Sequence, residues 1–389
     1  MSSALPQPAA EARAVSNALL DILRRRIEEA DGCLPFDAFM HSALYEPGLG
    51  YYSNGLMPFG EAGDFVTAPE SGSLFGRCLA RCIGSVLAQC QPADVLEIGA
   101  GSGALVVDIL LELEQLDQLP GHYYILERSA AMRGFQGQAV SRLPALLRER
   151  VVWLDELPSP GLRGVVFGNE LADALPVRRF RWQSGTIEEL GVGYDGERLV
   201  ECAQPADAGL SDQVLRLARE HDWPERYESE YCPTLQPLVS SIADCVEQGL
   251  LLLIDYGYGR AEYYHPQRSM GTLMCHYRHQ AHADPLRYPG LQDITAFVDF
   301  TAVAEAADAQ GMQLRGFTSQ AQFLLGCGID QLLAELDPAD TRRFLERSNE
   351  VKRLLLPGDM GDRFKAIGLT RGALERPKGF TLQDLRSRL

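Results

Sequence analysis

Residues 94–103 read DVLEIGAGSG, and this stretch decides the fold. Its first half is the kind of short apolar run that forms a buried strand, and glycines follow at Gly99, Gly101 and Gly103. A helical pattern begins at Ala104. A strand that turns sharply into a helix requires glycine, because a Cβ would obstruct both the turn and the approach of a ligand. A glycine triplet alone is weak evidence of a ligand site, so the neighbouring elements must carry the interpretation.

Short apolar runs alternate with helical patterns on the C-terminal side of this turn. The runs lie at 123–126, 151–154 and 164–167, and helical patterns at 104–116 and 130–148 lie between the strands. Such alternation predicts a parallel sheet with helices on both of its faces. The fold class that we expect is therefore α/β, with a Rossmann-like sheet.

Further elements are expected to decorate this sheet. Residues 178–204 contain strand-like runs separated by the turn pairs Ser184-Gly185 and Asp195-Gly196, which indicate hairpins. Residues 48–70 are dense in glycine, proline and aromatic residues, and we expect them to form a mobile lid. The predicted division is an N-terminal helical segment with the lid (1–90), a core (91–177, 236–318 and 360–375), an antiparallel insertion (178–235) and a helical insertion (319–359).

Composition excludes several classes of function. The chain has 389 residues, of which 46% are hydrophobic and 23% charged, as in an ordinary globular protein. Its longest purely apolar stretch, 250–254, is far shorter than the roughly 20 residues that cross a membrane, so no membrane insertion is expected. The formal net charge of −17 would repel phosphate backbones, so no nucleic-acid partner is expected.

The cysteines and histidines suggest neither a disulfide framework nor a metal site. Nine cysteines are scattered along the chain without a CxxC motif, which favours a reduced compartment. We therefore expect a cytoplasmic protein, or a protein of the mitochondrial matrix in a eukaryote. His276, His279 and His282 recur at every third position, but no carboxylate or cysteine lies at a diagnostic ligand spacing. No metal is predicted.

Two acids strengthen the ligand interpretation of the glycine turn. Glu127 ends the second strand, 28 residues beyond Gly99. A carboxylate at this tip can accept hydrogen bonds from both ribose hydroxyls of an adenosine cofactor. Glu97 lies within the first strand, where a cofactor contact and a structural hydrogen bond that stabilises the turn are equally good interpretations.

Polar residues also follow the fourth predicted strand, in the stretch 168–176 (GNELADALP). Ligands of open α/β sheets bind beyond the carboxyl ends of the strands, where Asn169, Glu170 and Asp173 would project. Two carboxylates can hold a cationic acceptor group, and a spacing of three would place them on one face if they shared a helical turn. The alternative is that Asn169 and Asp173 cap a helix.

The E-x-G-x-G-x-G pattern with an acid after the second strand resembles the S-adenosylmethionine fingerprint of Rossmann-like methyltransferases. Under that resemblance Asp155, just past the third strand, would contact the adenine, with helix capping as the alternative. Eight blocks, in order, also resemble the MidA family of S-adenosylmethionine-dependent methyltransferases. They are 63–70 (GDFVTAPE), 97–103, 169–176, 255–258 (DYGY), 271–273, 292–295, 298–300 and 318–322.

Mitochondrial members of the MidA family assist assembly of respiratory complex I by methylating an arginine in one of its subunits. The resemblance implies a class I methyltransferase sheet, S-adenosyl-L-methionine as cofactor and a protein substrate, with a complex I-type subunit as the model. It places Asp255 and Tyr256 toward the acceptor. The acceptor-site candidates are Glu170, Asp173, Asn169 and His276. The cofactor-site candidates are Asp64, Glu97, Gly99, Ala100, Gly101, Gly103, Glu127, Asp155 and Asn169.

Other functions remain in competition with arginine methylation. A methyltransferase with a small-molecule acceptor would use the same cofactor residues. A non-catalytic assembly factor would retain only a vestigial pocket, but the complete set of three glycines with Glu127 argues against it. A nicotinamide-dependent oxidoreductase fits the glycine spacing and Glu97 less well. Nothing in the sequence indicates an oligomeric state.

Overall fold

A computed structural model describes residues 5–56, 68–335 and 340–389. Its helices are α1 Ala10–Glu29, α2 Phe36–Tyr45, α3 Leu74–Leu87, α4 Ala104–Gln115, α5 Ala130–Val140, α6 Ala145–Arg148, α7 Ala208–Glu220, α8 Leu235–Cys245, α9 Arg260–Tyr263, α10 Phe300–Ala309, α11 Gln320–Gly326, α12 Ile329–Ala334, α13 Thr341–Leu355 and α14 Met360–Arg363. Short 3-10 turns are formed by Ala68–Ser71 and Arg386–Arg388.

The strands follow the same chain order. They are β1 Leu34–Pro35, β2 Asp94–Ile98, β3 Tyr123–Leu126, β4 Val151–Leu154, β5 Leu162–Asn169, β6 Arg178–Gln183, β7 Thr186–Tyr194, β8 Leu199–Pro205, β9 Arg226–Tyr231, β10 Val246–Tyr258, β11 Met274–Tyr277, β12 Gln280–His282, β13 Asp293–Thr295, β14 Val298–Asp299, β15 Gln313–Ser319 and β16 Phe364–Arg371.

The chain divides into two compact units, and each unit is assembled from three stretches. The first comprises the described parts of Met1–Phe65, Ala172–Leu235 and Arg260–Phe297; the second comprises those of Val66–Leu171, Gln236–Gly259 and Val298–Leu389. This division differs from the predicted one at several places. Helix α3, expected in the N-terminal segment 1–90, belongs to the second unit, and residues 172–177, expected in the core, belong to the first. Residues 260–297, expected in the core, belong to the first unit, and the helices of 319–359 belong to the unit that contains the core sheet.

An eight-stranded sheet forms the centre of the second unit. Its strand order is β15-β16-β10-β5-β2-β3-β4, and β14 pairs with the end of β10. The strands from β10 to β4 are parallel, whereas β16 runs antiparallel to both of its neighbours. The predicted α/β fold class with a parallel, Rossmann-like sheet is confirmed.

The strand order reverses between β2 and β5. From β2 the chain proceeds outward through β3 and β4, and it then returns to the other side of β2 to form β5 and β10. Ligands of open α/β sheets bind at such a reversal, in the crevice outside the carboxyl ends of the strands. The glycine turn after β2 and the residues after β5 therefore flank the expected ligand crevice.

Burial explains why these segments form strands rather than helices. The five residues 250–254 of β10 are all at most 3% exposed, because β10 lies inside the sheet and both of its faces are covered. Helices α3 and α4 contribute buried stripes to the same core, including Phe75, Leu79, Ile109 and Leu113. Apolar burial on this scale is the main stabilising contribution to the second unit.

The first unit contains two antiparallel sheets. One has the order β1-β7-β6-β9 with β8 paired to β7, and the other has the order β12-β11-β13. The turn pairs Ser184-Gly185 and Asp195-Gly196 join β6 to β7 and β7 to β8 as predicted, with both glycines at positive φ. The helices α1 and α2 pack their buried leucines and phenylalanines into this unit's own core.

One expectation from the sequence is wrong. We expected the cysteines to be free, but Cys33 and Cys202 form a disulfide in the first unit, with their Cα atoms 5.9 Å apart. The hairpin geometry brings them together, since β1 and β8 both pair with β7. This proximity depends on strand register across 169 residues of sequence, so cysteine spacing alone could not reveal it.

Several predicted elements differ from the observed ones in extent. The helical pattern at 319–355 corresponds to three helices, α11, α12 and α13, rather than one. The short apolar run at 250–254 is the middle of a 13-residue strand. Within the described ranges, no helix is both long and apolar enough to cross a membrane.

Candidate active site

The glycine turn after β2 has the backbone geometry that its sequence suggested. Gly99, Gly101 and Gly103 all have positive φ, at 73°, 51° and 84°. A Cβ on Gly103 would lie 3.0 Å from the Cα of Gln136, so a side chain there would push against the backbone of α5. Left-handed conformations cost other L-residues free energy, so glycine is required for both conformation and space.

Glu97 lies in β2, two residues before Gly99. Its carboxylate is 1% exposed and accepts a hydrogen bond of 2.7 Å from the hydroxyl of Tyr123 on β3. Burial raises the pKa of Glu97 to about 7, and the Tyr123 hydrogen bond acts in the opposite direction. This bond joins β2 to β3, so the two interpretations of Glu97, a cofactor contact and a bond that stabilises the turn, both stay predictions.

Glu127 lies at the carboxyl end of β3, where the sequence placed it. Its Oε1 accepts the backbone N–H of Ser129 at 2.8 Å, and its Oε2 accepts an N–H of Gln136 at 3.2 Å. Gln136 also donates to the carbonyl of Gly101 at 3.2 Å and accepts from the indole of Trp153 at 3.0 Å. One buried amide therefore joins the glycine turn to the acid that follows the second strand.

Sequence reasoning missed Gln136, although a signal was present. Met132, Gln136 and Val140 recur every four residues along α5, and all three are buried. A polar residue in the middle of an apolar helical stripe must find hydrogen-bond partners inside the protein. That requirement could have marked Gln136 as a contact of the ligand loop.

Asp155 lies just beyond β4, and its side chain is exposed at the carboxyl-terminal edge of the core sheet. Its side chain is 86% exposed and pairs with Arg133 at 2.8 Å. Arg133 also donates to the carbonyls of Glu127 and Leu154, so it ties together the ends of β3 and β4. No helix begins after Asp155, since β5 is the next element, so the helix-capping alternative is wrong.

Asn169 and Glu170 end the fourth strand of the core. The amide Nδ2 of Asn169 donates to Glu170 Oε1 at 3.0 Å, whereas Asn169 Oδ1 is buried without a hydrogen-bond partner in the described structure. Glu170 adopts a φ of 52°, and its backbone N–H donates to the carbonyl of Ile254 at 2.9 Å. A buried carbonyl oxygen without a donor is costly, so this atom is available to accept a hydrogen bond from a ligand N–H.

Glu170 and Asp173 do not share a helical turn, so the condition for placing them on one helical face is not met. Residues 170–177 contain no helix, so neither Asn169 nor Asp173 caps one. The left-handed backbone at Glu170 prevents a regular turn from starting at that residue. Glu170 belongs to the second unit and Asp173 to the first.

Asp255 holds the turn that presents Glu170. It is 2% exposed, its Oδ2 accepts the backbone N–H of Leu171 at 3.1 Å, and its Oδ1 accepts the N–H of Tyr256 at 2.8 Å. The family resemblance had placed Asp255 toward the acceptor. In the structure its carboxylate is directed at the backbone beside Glu170, which is a positioning role.

Asp173 lies in a polar cluster of the first unit. It is 5% exposed, and its backbone carbonyl accepts the N–H of Ala296 at 2.9 Å. Nearby, the hydroxyl of Tyr52 donates to Asp293 at 2.9 Å. Burial raises the pKa of Tyr52 well above its usual value, and the charges of Asp293 and Asp173 raise it further. Tyr52 and Asp293 were not predicted, although Asp293 lies in the block 292–295 that contributed to the family resemblance.

His276 is on β11 in the same unit, directly opposite Asp293 on β13. Burial lowers the pKa of its imidazole to about 4, so His276 is neutral at physiological pH. Within the described ranges, no three or more His, Cys, Asp or Glu side chains converge as metal ligands.

The cofactor candidate Asp64 lies outside the described residues, as does 57–67, the central part of the predicted lid.

The second unit fits the adenosyl cofactor that the fingerprint suggested. Its glycine turn has no Cβ at three positions of positive φ, and Glu127 is joined to that turn through Gln136. The acid Glu127, the glycine turn and the reversal of strand order thus occur at one edge of one sheet. Residues 99–103 and Glu127 are the residues that would hold the cofactor.

Comparison with known proteins agrees with this assignment. The family model Methyltransf_28, which describes S-adenosyl-L-methionine-dependent methyltransferases, matches residues 77–318. A crystal structure of a COG1565 superfamily member from Burkholderia thailandensis, bound to S-adenosyl-homocysteine, is 40% identical. It superposes with a TM-score of 0.94 and covers 99% of this chain and 100% of that one.

Curated relatives extend the comparison to mitochondrial proteins. A Danio rerio protein named protein arginine methyltransferase NDUFAF7, mitochondrial, is 28% identical over 88% of this chain and 85% of its own. The Rattus norvegicus protein of the same name is 28% identical, over 92% and 86%. These relatives and the superfamily structure support the MidA-like resemblance. The chain therefore belongs to a MidA-like family of S-adenosyl-L-methionine-dependent methyltransferases.

Proposed function

We propose that this methyltransferase acts on an arginine side chain of a protein. The observation that carries the proposal is the buried Asn169 Oδ1, which has no donor in the described structure and lies beside the carboxylate of Glu170. An oxygen acceptor next to a carboxylate favours a substrate that is both cationic and rich in N–H donors. A guanidinium has five N–H donors, carries a positive charge and accepts no hydrogen bonds.

The chain's own residues would position this acceptor. S-adenosylmethionine supplies a methyl group on a sulfonium, already activated for in-line displacement. Asn169 and Glu170 would hold two N–H groups of the guanidinium and orient the third nitrogen. The carboxylate would draw positive charge away from that nitrogen, which is a poor nucleophile while its lone pair is delocalised. Glu170 is also the candidate to accept the proton that the methylated nitrogen releases.

Asp173 and His276 are proposed as acceptor-side residues of the first unit. Asp173 contributes a buried negative charge, and His276 is neutral and therefore adds no repulsion toward a cation. The names of the curated relatives support arginine as the acceptor. By the same resemblance, we propose that the substrate is a subunit of a respiratory complex I-type assembly. The proposed location is the cytoplasm, or the mitochondrial matrix in a eukaryote.

Transfer of radiolabelled methyl from S-adenosylmethionine into a cell lysate tests the proposal. Acid hydrolysis of the labelled protein should release methylarginine. Label in another amino acid or in a small molecule would contradict the arginine assignment. Binding of S-adenosyl-homocysteine without transfer to any acceptor would favour the non-catalytic assembly factor.

Two substitutions then test the residues. Glu170→Gln keeps the shape of the side chain but removes its charge, so transfer should fall at least tenfold, about 1.4 kcal/mol of transition-state stabilisation. Asp173→Asn should also slow transfer, and neither change should alter S-adenosyl-homocysteine affinity. Glu114→Gln, on the exposed face of α4, is the matched control and should have no effect. Full activity in both Glu170→Gln and Asp173→Asn would make these residues structural.

A further inference from the structure

Glu350 on α13 is a buried carboxylate that the reaction does not require. Its side chain is 1% exposed, and Arg347, one turn earlier, pairs with it at 2.6 Å. Its Oε1 accepts the backbone N–H of Leu74, the first residue of α3, at 2.6 Å. A carboxylate at a helix N-terminus satisfies a free N–H and interacts favourably with the helix dipole.

Glu350 also determines the path of the chain before α3. A Cβ on Gly72 would lie 2.2 Å from Glu350 Oε2, so the backbone runs directly against this carboxylate. Gly72 also has a φ of 151°, which residues with a Cβ rarely adopt. The segment 72–74 is therefore fixed at two points by one side chain from a helix that lies 276 residues later in the sequence.

The segment fixed by Glu350 leads directly to the glycine turn. Glu70 lies in the 3-10 turn Ala68–Ser71, immediately before Gly72. Its carboxylate accepts a hydrogen bond from the hydroxyl of Ser102, which is part of the turn 99–103. The same hydroxyl accepts the backbone N–H of Ala104 at 3.3 Å. Ser102 is thus bonded both to the helix that follows the turn and to the segment before α3.

We propose that Glu350 is a positioning residue for cofactor binding, acting from α13 through residues 70–74 on Ser102 of the glycine turn. The proposal requires only that this turn holds the cofactor, and it does not depend on the identity of the methyl acceptor. The path from Glu350 to Ser102 runs through the N–H of Leu74 and the carboxylate of Glu70.

Calorimetric binding of S-adenosyl-homocysteine to the full chain tests the proposal, with thermal unfolding of the free protein measured in parallel. Glu350→Ala removes the acceptor for Leu74 and should weaken binding about tenfold, a typical coupling of about 1.4 kcal/mol. Glu350→Gln retains an acceptor oxygen of the same reach and should recover most of the affinity. Glu335→Gln is the control. Its carboxylate pairs with Arg77 and Arg81 on α3 but is half-exposed, and it should leave binding unchanged.

A double-mutant cycle with Ser102→Ala separates positioning from a general loss of stability. If Glu350 acts through Ser102, the variant Glu350→Ala/Ser102→Ala should bind no more weakly than the weaker single variant. If the fold-losses in affinity of the two single variants multiply in the double variant, the proposal is overturned. It is also overturned if Glu350→Ala lowers the Tm but leaves the affinity unchanged. If Glu350→Ala does not fold, Glu350→Asp takes its place in the experiment, because it draws the carboxylate oxygens back by one methylene. Equal affinity of Glu350→Asp and Glu350→Gln would then overturn the proposal.

Discussion

Two turns at the same edge of the core sheet both adopt left-handed backbone conformations, but with different residues. After β2, the chain enters the left-handed region at Gly99, Gly101 and Gly103, where no Cβ opposes it. After β5, it does so at Glu170, which has a Cβ and a φ of 52°. The Glu170 turn is held by hydrogen bonds from its own backbone to Ile254 and from Leu171 to Asp255.

The difference matches the roles proposed for the two turns, the first for the cofactor and the second for the methyl acceptor. A turn that must let a ligand approach the backbone benefits from having no side chains, whereas a turn that presents a carboxylate cannot use glycine. Strand β10 offsets the free energy cost of the strained backbone at Glu170, because it supplies both hydrogen-bond acceptors, the Ile254 carbonyl and the Asp255 carboxylate. Non-glycine residues held in such conformations by surrounding structure are frequent at active sites.

Breaking the glycine turn should have the largest effect. Gly103→Ala adds a Cβ at a φ of 84°, 3.0 Å from the Cα of Gln136. Backbone strain and overpacking together should lower the free energy of unfolding by about 2–5 kcal/mol. Gly134→Ala in α5 is the control, because a Cβ there meets nothing within 4 Å. A denaturant titration in which both variants behave alike would refute the steric argument.

Removing the acid beside the glycine turn should weaken cofactor binding without a matching loss of stability. Glu127→Ala deletes a carboxylate proposed to hold the ribose, so S-adenosyl-homocysteine affinity should fall by about 1–3 kcal/mol. Part of any loss could come from Gln136, which bonds to Glu127. Glu127→Gln retains the length of the side chain and separates charge from shape. Calorimetry showing wild-type affinity for Glu127→Ala would remove this residue from the site.

The buried acid below the turn should make stability depend on pH. Because the pKa of Glu97 is raised to about 7 in the folded protein from an ordinary value near 4.5, the folded form binds more protons between these values. Its contribution to stability therefore falls as pH rises from about 5 to 7 and remains lost above that. Relative to wild type, the free energy of unfolding of Glu97→Gln should rise by about 3 kcal/mol across this window. Parallel curves of Tm against pH for the two proteins would show that Glu97 does not titrate there.

Loosening the acceptor turn should have the smallest effect. Asp255→Asn keeps one acceptor oxygen but weakens the charge-assisted bond to the N–H of Leu171. Methyl transfer should slow about fivefold, roughly 1 kcal/mol, while S-adenosyl-homocysteine affinity stays constant. The double variant Asp255→Asn/Glu170→Gly relieves the left-handed strain and should recover stability but not activity. If Asp255→Asn weakened cofactor binding instead, Asp255 would serve the cofactor turn.

The sequence predicted those elements whose formation depends on residues close together in the chain. The glycine turn, the alternation of β2 to β5 with α4 to α6, and the hairpins at Ser184-Gly185 and Asp195-Gly196 all followed from residues close together in the chain. The position of Glu127 after β3 followed from the same alternation. These features require no knowledge of distant contacts.

Features that depend on distant contacts could not be predicted. The positive φ of Glu170 is fixed by Ile254 and Asp255, more than 80 residues away, and nothing at Glu170 itself signals it. The same limit applies to the disulfide of Cys33 with Cys202. Helical periodicity indicated α13 but could not show that its Glu350 meets Leu74.

The interleaving of the two units has a consequence for biosynthesis. Six stretches of chain alternate between the units, so a ribosome releases part of each unit before either is complete. The first unit has all its segments only after residue 297, and the core sheet receives β16, the neighbour of β10, only after residue 371. The apolar strand β10 therefore emerges more than 100 residues before its antiparallel partner. Nascent chains of this protein should depend on chaperones that shield exposed strands until translation ends.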